Sequence, residues 1–139
     1  MNIFDEVKKL NFPPDKYVVV GSGPMAALGL KEPNDIDLVI TLDLFKECKK
    51  NGWEVKQWTY PNTSGEYLQK ENVELYLDVN YGDFNPTFEE LFKRSEIING
   101  VRFASLQDTL NFKKAYLTNI KKEKHIRDIA IIEGYLRKR

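Results

Sequence analysis

The chain has 139 residues, 42% of them hydrophobic and 30% charged, and its 21 Lys/Arg balance 21 Asp/Glu. It is long enough for one hydrophobic core over residues 1–139, its composition is that of an ordinary globular protein, and its neutrality excludes a nonspecific nucleic-acid binder, which needs a strongly basic face. No apolar run approaches the roughly 20 residues of a membrane span, the N-terminus has no signal-peptide pattern, and one cysteine, Cys48, rules out an internal disulfide, so a cytoplasmic protein free of the membrane is expected.

In chain order, Ile3, Phe4, Val7 and Leu10 recur at helical spacing and predict a short amphipathic helix, broken at Pro13-Pro14. Tyr17-Val18-Val19-Val20 is a β-branched run that predicts a strand buried on both faces. It ends at Gly21-Ser22-Gly23, after which Pro24 fits the first turn of a helix over Met25–Leu28, closed by Gly29. A second strand is predicted over 35–41 and a helix over 43–51, stopped at Asn51-Gly52. Strands follow at 53–59 and 65–70, with Pro61 to Gly65 as the turn between them. From Val73 to Asn80 the sequence alternates, with Val73, Leu75, Leu77 and Val79 on one face and Glu74, Tyr76, Asp78 and Asn80 on the other. A helix is predicted over 86–94, and Asn99-Gly100 between apolar flanks predicts a hairpin with a type I′ turn over 97–103. Two helices finish the chain, one opened by the capping-box-like Ser105-Leu106-Gln107-Asp108 and one over about 123–136. The fold class is α/β (α+β): a small mixed sheet with a core over about 16–104, flanked by helices, then a C-terminal helical pair over about 105–138.

Chemistry is concentrated at Asp35-Ile36-Asp37. Residues i and i+2 of a strand point to one face, so the two carboxylates project together from an apolar run. Buried carboxylates are costly unless paired or bound to metal, which points to a divalent cation such as Mg²⁺ or Mn²⁺. The plainer alternative is that Asp35 caps the turn Pro33-Asn34-Asp35 and Asp37 pairs with a lysine. Gly21-Ser22, at a strand end before a helix, would let a phosphate approach the backbone. Asp78 lies on the face of its predicted strand opposite Leu75 and Leu77 and could complete metal ligation or accept a proton. Glu74 on the same face is its rival, and Asp78 could instead simply start the turn at Asn80-Tyr81-Gly82.

Gly21-Ser22, a gap of twelve residues, Asp35-Ile36-Asp37-Leu38 and then Leu77-Asp78-Val79 together resemble the nucleotidyltransferases of the DNA polymerase beta type. The resemblance implies the nucleotidyltransferase fold and transfer of a nucleoside monophosphate from a Mg²⁺–nucleoside triphosphate, with ATP the expected donor, to a hydroxyl. It implies that Asp35, Asp37 and Asp78 bind metal and act in catalysis, while Gly21 and Ser22 hold the β/γ-phosphates. Lys113 interrupts the apolar stripe Leu106, Leu110, Leu117 and would neutralise the leaving pyrophosphate. The family's Arg-Glu-Lys-Asp segment looks like Lys122-Glu123-Lys124-His125 here, making Lys124 a second nucleotide contact, with Lys122 in place of the arginine and His125 in place of the aspartate.

Charge is uneven: seven acids face three bases between Lys70 and Glu96, while nine Lys/Arg face three Asp/Glu from Leu110 to Arg139. An acidic centre beside a basic C-terminal segment suits a metal and a polyphosphate. The acceptor is open among a small molecule, RNA and protein. Trp53, Trp58 and Tyr60 are candidates to stack on it, although alternating aromatics more often pack a sheet. The chain is short for a separate acceptor domain, so a homodimer or a helical protein partner is expected to complete the pocket. Two further readings keep the same residues: a nucleotide- or partner-binding module with a decayed site, and a toxin or antitoxin component that modifies RNA or protein.

Overall fold

The β-branched run at 17–20 is the spine of the molecule, and the computed structural model describes residues 2–60, 63–117 and 123–138 around it. β1 (Tyr17–Val20) is buried along its whole length, with Val19 packing into one face of the sheet and Val18 and Val20 into the other. This is the two-sided burial that its continuous apolar sequence requires. β2 (Ile36–Ile40) runs antiparallel to it, β5 (Val73–Tyr76) lies parallel to β2, and β7 (Val101–Phe103) lies parallel to β1. With β3 (Glu54–Tyr60), β4 (Thr63–Lys70) and β6 (Glu96–Ile98), these form a seven-stranded mixed sheet in the order β3-β4-β5-β2-β1-β7-β6.

One face is sealed by α1 (Ile3–Lys9) and α3 (Leu42–Lys50), which bury Ile3, Val7, Leu44 and Phe45 against Ile36, Leu38, Ile40 and Leu75. On the other face, α4 (Phe88–Arg94) and α5 (Leu106–Leu117) bring Leu91 and Phe112 over Val18, Val20 and Val39. A third cluster joins α2 (Gly23–Ala27), α5 and α6 (Glu123–Arg137) through Met25, Leu106, Leu110 and Ile132. The mixed sheet, its helical cover and the C-terminal pair are those expected of the sequence. The 97–103 hairpin is present with Asn99 and Gly100 both at positive φ (49° and 81°), as a type I′ turn demands.

Several boundaries move, among them the start of β4 at Thr63, which puts Gly65 of the predicted turn inside a strand. β2 begins at Ile36, leaving Asp35 on the bend before it. α2 has only five residues and starts at Gly23. β5 stops at Tyr76 rather than running to Asn80: Leu77 is 38% exposed, and Val79 packs on the cluster opposite the one that takes Val73 and Leu75. Val79 therefore does not share a face with Leu75, because the chain turns after Tyr76 and the alternation past that point is not strand alternation. Pro61 and Asn62 of the predicted turn, and Lys122, lie outside the described residues. No helix among the described residues is long and apolar enough to cross a membrane.

Candidate active site

Asp37 occupies the middle of an apolar strand. Ile36 and Leu38 face the sealed side, so the carboxylate must project to the other, where its register partners are Val20 on β1 and Glu74 on β5. Burial, then the charges of Glu74 and Asp35, push its pKa up to about 7. A half-buried carboxylate pressed by two others is the electrostatic situation that a cation relieves. Glu74 in turn accepts a hydrogen bond from the Tyr76 hydroxyl, whose ionisation is pushed up by burial and by that bond.

Gly21 closes the gap between β1 and this carboxylate. Its φ is +68°, and a Cβ there would lie 2.7 Å from Asp37 Oδ2, so both conformation and space demand glycine. Ser22 stands at the N-cap of α2 but makes no capping bond. Its hydroxyl instead accepts hydrogen bonds from Lys113 Nζ at 3.3 Å and Lys31 Nζ at 3.4 Å. Both ammonium groups also donate to Asp128 on α6, Lys113 at 2.9 Å and Lys31 at 2.8 Å. Asp128 is 3% exposed and Lys113 5%. Burial opposes the charged form of Asp128, but the bonds from Lys31 and Lys113 outweigh it and hold its pKa below the usual carboxylate range. Burial lowers that of Lys113 against the pull of Asp128. Two lysines sharing one carboxylate leave surplus positive charge at Ser22, and since α2 is so short, that charge outweighs any helix dipole.

Gly21, Ser22, Asp37 and Lys113 open on a cavity of about 420 Å³ that Asp78 and Lys124 also line, with Trp58, Tyr76, Tyr116 and His125 among its other walls; Glu74, Lys31 and Asp128 stand behind the lining. Of the seven residues given catalytic, metal or nucleotide roles from the sequence, six thus line one cavity. Asp35 is exposed and not part of the lining, although its charge reaches Asp37. Asp78 lies past the end of β5 and accepts the Asn80 N–H at 3.2 Å, the turn role weighed against its catalytic one. The carboxylate in register with Asp37 is Glu74. His125 rests against Tyr116, ring centroids 5.8 Å apart. Trp53 packs against the sealed core near Phe12, away from the cavity. Sequence reasoning missed Lys31 and Asp128. Asp128 had a readable signal, an acid beside the apolar Ile129 of an amphipathic helix; Lys31, in a loop, had none.

Among the described residues no three Asp, Glu, His or Cys side chains converge closely enough to form a ready-made metal cage. The donor set nevertheless suits magnesium, which is commonly held by one or two carboxylates and completes its shell with water and substrate phosphates.

No model of a known protein family matches the chain, and no curated protein sequence matches it. Its fold does match a solved structure: the crystal structure of ANT(2″)-Ia in complex with adenylyl-2″-tobramycin superimposes with a TM-score of 0.57 at 17% identity, over 97% of this chain and 86% of that one. The fold is that of a nucleotidyltransferase.

Proposed function

We propose that this chain transfers a nucleoside monophosphate from a magnesium-bound nucleoside triphosphate, ATP in the first instance, to an acceptor hydroxyl. The observation that carries the reading is the Asp37–Glu74 pair, in register across parallel strands and directly beside Gly21, with Ser22 and Lys113 on the facing wall. The neighbouring structure, which is in complex with adenylyl-2″-tobramycin, supports the same class of reaction.

Asp37 and Glu74, with Asp35 adjoining, would hold magnesium. The ion would supply charge neutralisation and orientation of the triphosphate when bound. Gly21 and Ser22 cradle the phosphates, and Lys113, Lys31 and Lys124 offset charge on the departing pyrophosphate. Asp128 positions Lys113 and Lys31. Register favours Glu74 over Asp78 as the third carboxylate, leaving Asp78 on the cavity wall to receive the acceptor's proton. Phosphoryl-type transfer asks little covalent help of a protein, so positioning and electrostatics carry the acceleration.

The test is pyrophosphate release from each triphosphate with Mg²⁺ or Mn²⁺ over a panel of small-molecule, tRNA and protein acceptors, with Asp37→Ala as control. Release that depends on Asp37 supports the reading; equal release in the variant overturns it. A nucleotide-binding module without turnover is the second reading, favoured by the lack of a ready-made metal cage among the described residues. Calorimetric binding of Mg²⁺–ATP with no release against any acceptor would select it.

A further inference from the structure

The two edges of the sheet are built differently. At one end β6 runs for three residues; at the other β3 runs for seven, all of them in unbroken register with β4. An open strand edge is a row of unpaired N–H and C=O groups that invites another strand, and folded proteins blunt it with proline, a bulge, charge or brevity. β6 is brief. β3 has no proline and no bulge, and its one lysine, Lys56, is half-buried in register with Tyr67.

Which backbone groups are open follows from the register. Glu71-Asn72 is a two-residue turn, so the pair flanking it, Lys70 and Val73, is a hydrogen-bonded pair, and bonded and non-bonded pairs alternate along an antiparallel ladder. Leu68 and Lys70 therefore bond β5, while Gly65, Tyr67 and Gln69 bond β3 at Trp58, Lys56 and Glu54. That leaves Val55, Gln57 and Thr59 with their N–H and C=O groups turned away from the sheet. All three residues are exposed, Val55 by 39%, and β3 ends the sheet, so among the described residues no strand takes them.

We propose that β3 pairs antiparallel with β3 of a second copy of this chain, about a two-fold axis through Gln57, joining the two sheets into one. In that register Gln57 meets the partner's Gln57 and Val55 meets the partner's Thr59, so the outward N–H and C=O groups of all three satisfy one another. Lys56 falls opposite the partner's Trp58, and no like charges stand directly opposite. Moving the axis one residue back would set lysine against lysine, which is unfavourable, so the charge pattern itself selects the register through Gln57. The edge is complementary to itself, and a two-fold contact closes at two copies, leaving only the brief β6 open. Because Trp58 lines the cavity, each copy would bring its Lys56 beside the other's site.

Sedimentation of the full chain over a dilution series tests this. A monomer–dimer equilibrium is expected, and Gln57→Pro should raise its dissociation constant at least about tenfold, since proline removes the central donor from both copies. The variant should keep its circular dichroism, because the Gln57 N–H takes no part in the β3–β4 ladder. Cross-linking reads the register independently. Cys48 is buried at 4% exposure, so a thiol introduced on β3 is the reporter. Oxidised Gln57→Cys should form a covalent dimer, its paired Cα atoms lying about 5.5 Å apart, whereas Thr59→Cys should not, its two copies being roughly 13 Å apart along the strands. Should Gln57→Pro fail to fold, the cross-linking comparison decides alone. A chain that stays monomeric up to about 0.1 mM, a dimer indifferent to Gln57→Pro, or equal cross-linking of the two cysteine variants would overturn the inference. None of these readouts involves nucleotide, so strand pairing and nucleotide transfer stand or fall separately.

Discussion

The wall of the cavity made by the β1–α2 turn, α5 and α6 is basic and internally paired: Lys113 and Lys31 converge on Ser22 and are anchored by the buried Asp128. The facing wall on β2 and β5 is acidic and, among the described residues, has no ion pair, Glu74 being bonded only by the Tyr76 hydroxyl. There Asp37 has Glu74 for a register partner and, among the described residues, no lysine within bonding distance; burial, then Glu74 and Asp35, suppress its ionisation against the weaker pull of Lys124 and Lys113. One wall has its counter-ion built in, and the other is short of one. The contrast teaches that the basic wall is organised by the fold itself, while on the proposed reading a bound cation would complete the acidic wall.

The largest effect should come from removing the built-in counter-ion. Asp128→Ala leaves Lys113 buried without its partner and should cost about 3–5 kcal/mol in urea unfolding, the usual penalty for breaking a buried pair. A loss under about 1 kcal/mol would mean that Asp128 does not organise this wall. On the acidic wall, Asp37→Ala should keep the fold and lose at least about 10²-fold in nucleotide transfer, by analogy with removal of one key charge stabiliser. Glu74→Gln should cost a similar factor and Asp78→Asn less than about tenfold in the same assay; the reverse order would return the third-carboxylate role to Asp78.

The two walls also differ in how they respond to pH. Asp37 is protonated in the folded chain up to about pH 7 but ionises near 3.8 when unfolded. The folded state therefore binds the extra proton between those values, so stability falls as pH rises through the window. In EDTA at pH 8, Asp37→Asn should be more stable than the parent by up to about 4 kcal/mol, the span from 3.8 to about 7 at about 1.4 kcal/mol per pH unit, and the two should converge below about pH 4. Magnesium at pH 8 should raise the parent's Tm and leave the variant unmoved; an equal rise in both would place the ion elsewhere. The smallest effect calibrates the rest. Thr87→Ala removes the cap of α4, where Thr87 Oγ1 accepts the Glu90 N–H, and should cost about 1 kcal/mol without altering transfer.

Much of this was legible in the chain because local chemistry is strong where it matters. Gly21-Ser22 and Asp37 could be matched from sequence, since a charge inside Ile36–Ile40 contradicts its surroundings and the glycine marks a turn. The Ser105 cap was legible too, although only half of the box forms: Ser105 Oγ accepts the Asp108 N–H, while the Asp108 carboxylate binds Arg94 instead. The third carboxylate was harder. Alternation through Val79 looked continuous, and nothing in the sequence marks that the strand gives way at Leu77, because hydrophobic spacing persists after the hydrogen-bond ladder has ended.

By itself the sequence determined the two-sided burial of β1, the Asn99-Gly100 turn and which side chains are too charged for their apolar neighbours, since these depend on residues close together in the chain. Tertiary structure alone decided that Glu74 and not Asp78 lies level with Asp37, and that Lys31 reaches Asp128 across 97 residues. Register and long-range ion pairing are set by how separate elements pack, and no spacing within a segment encodes them.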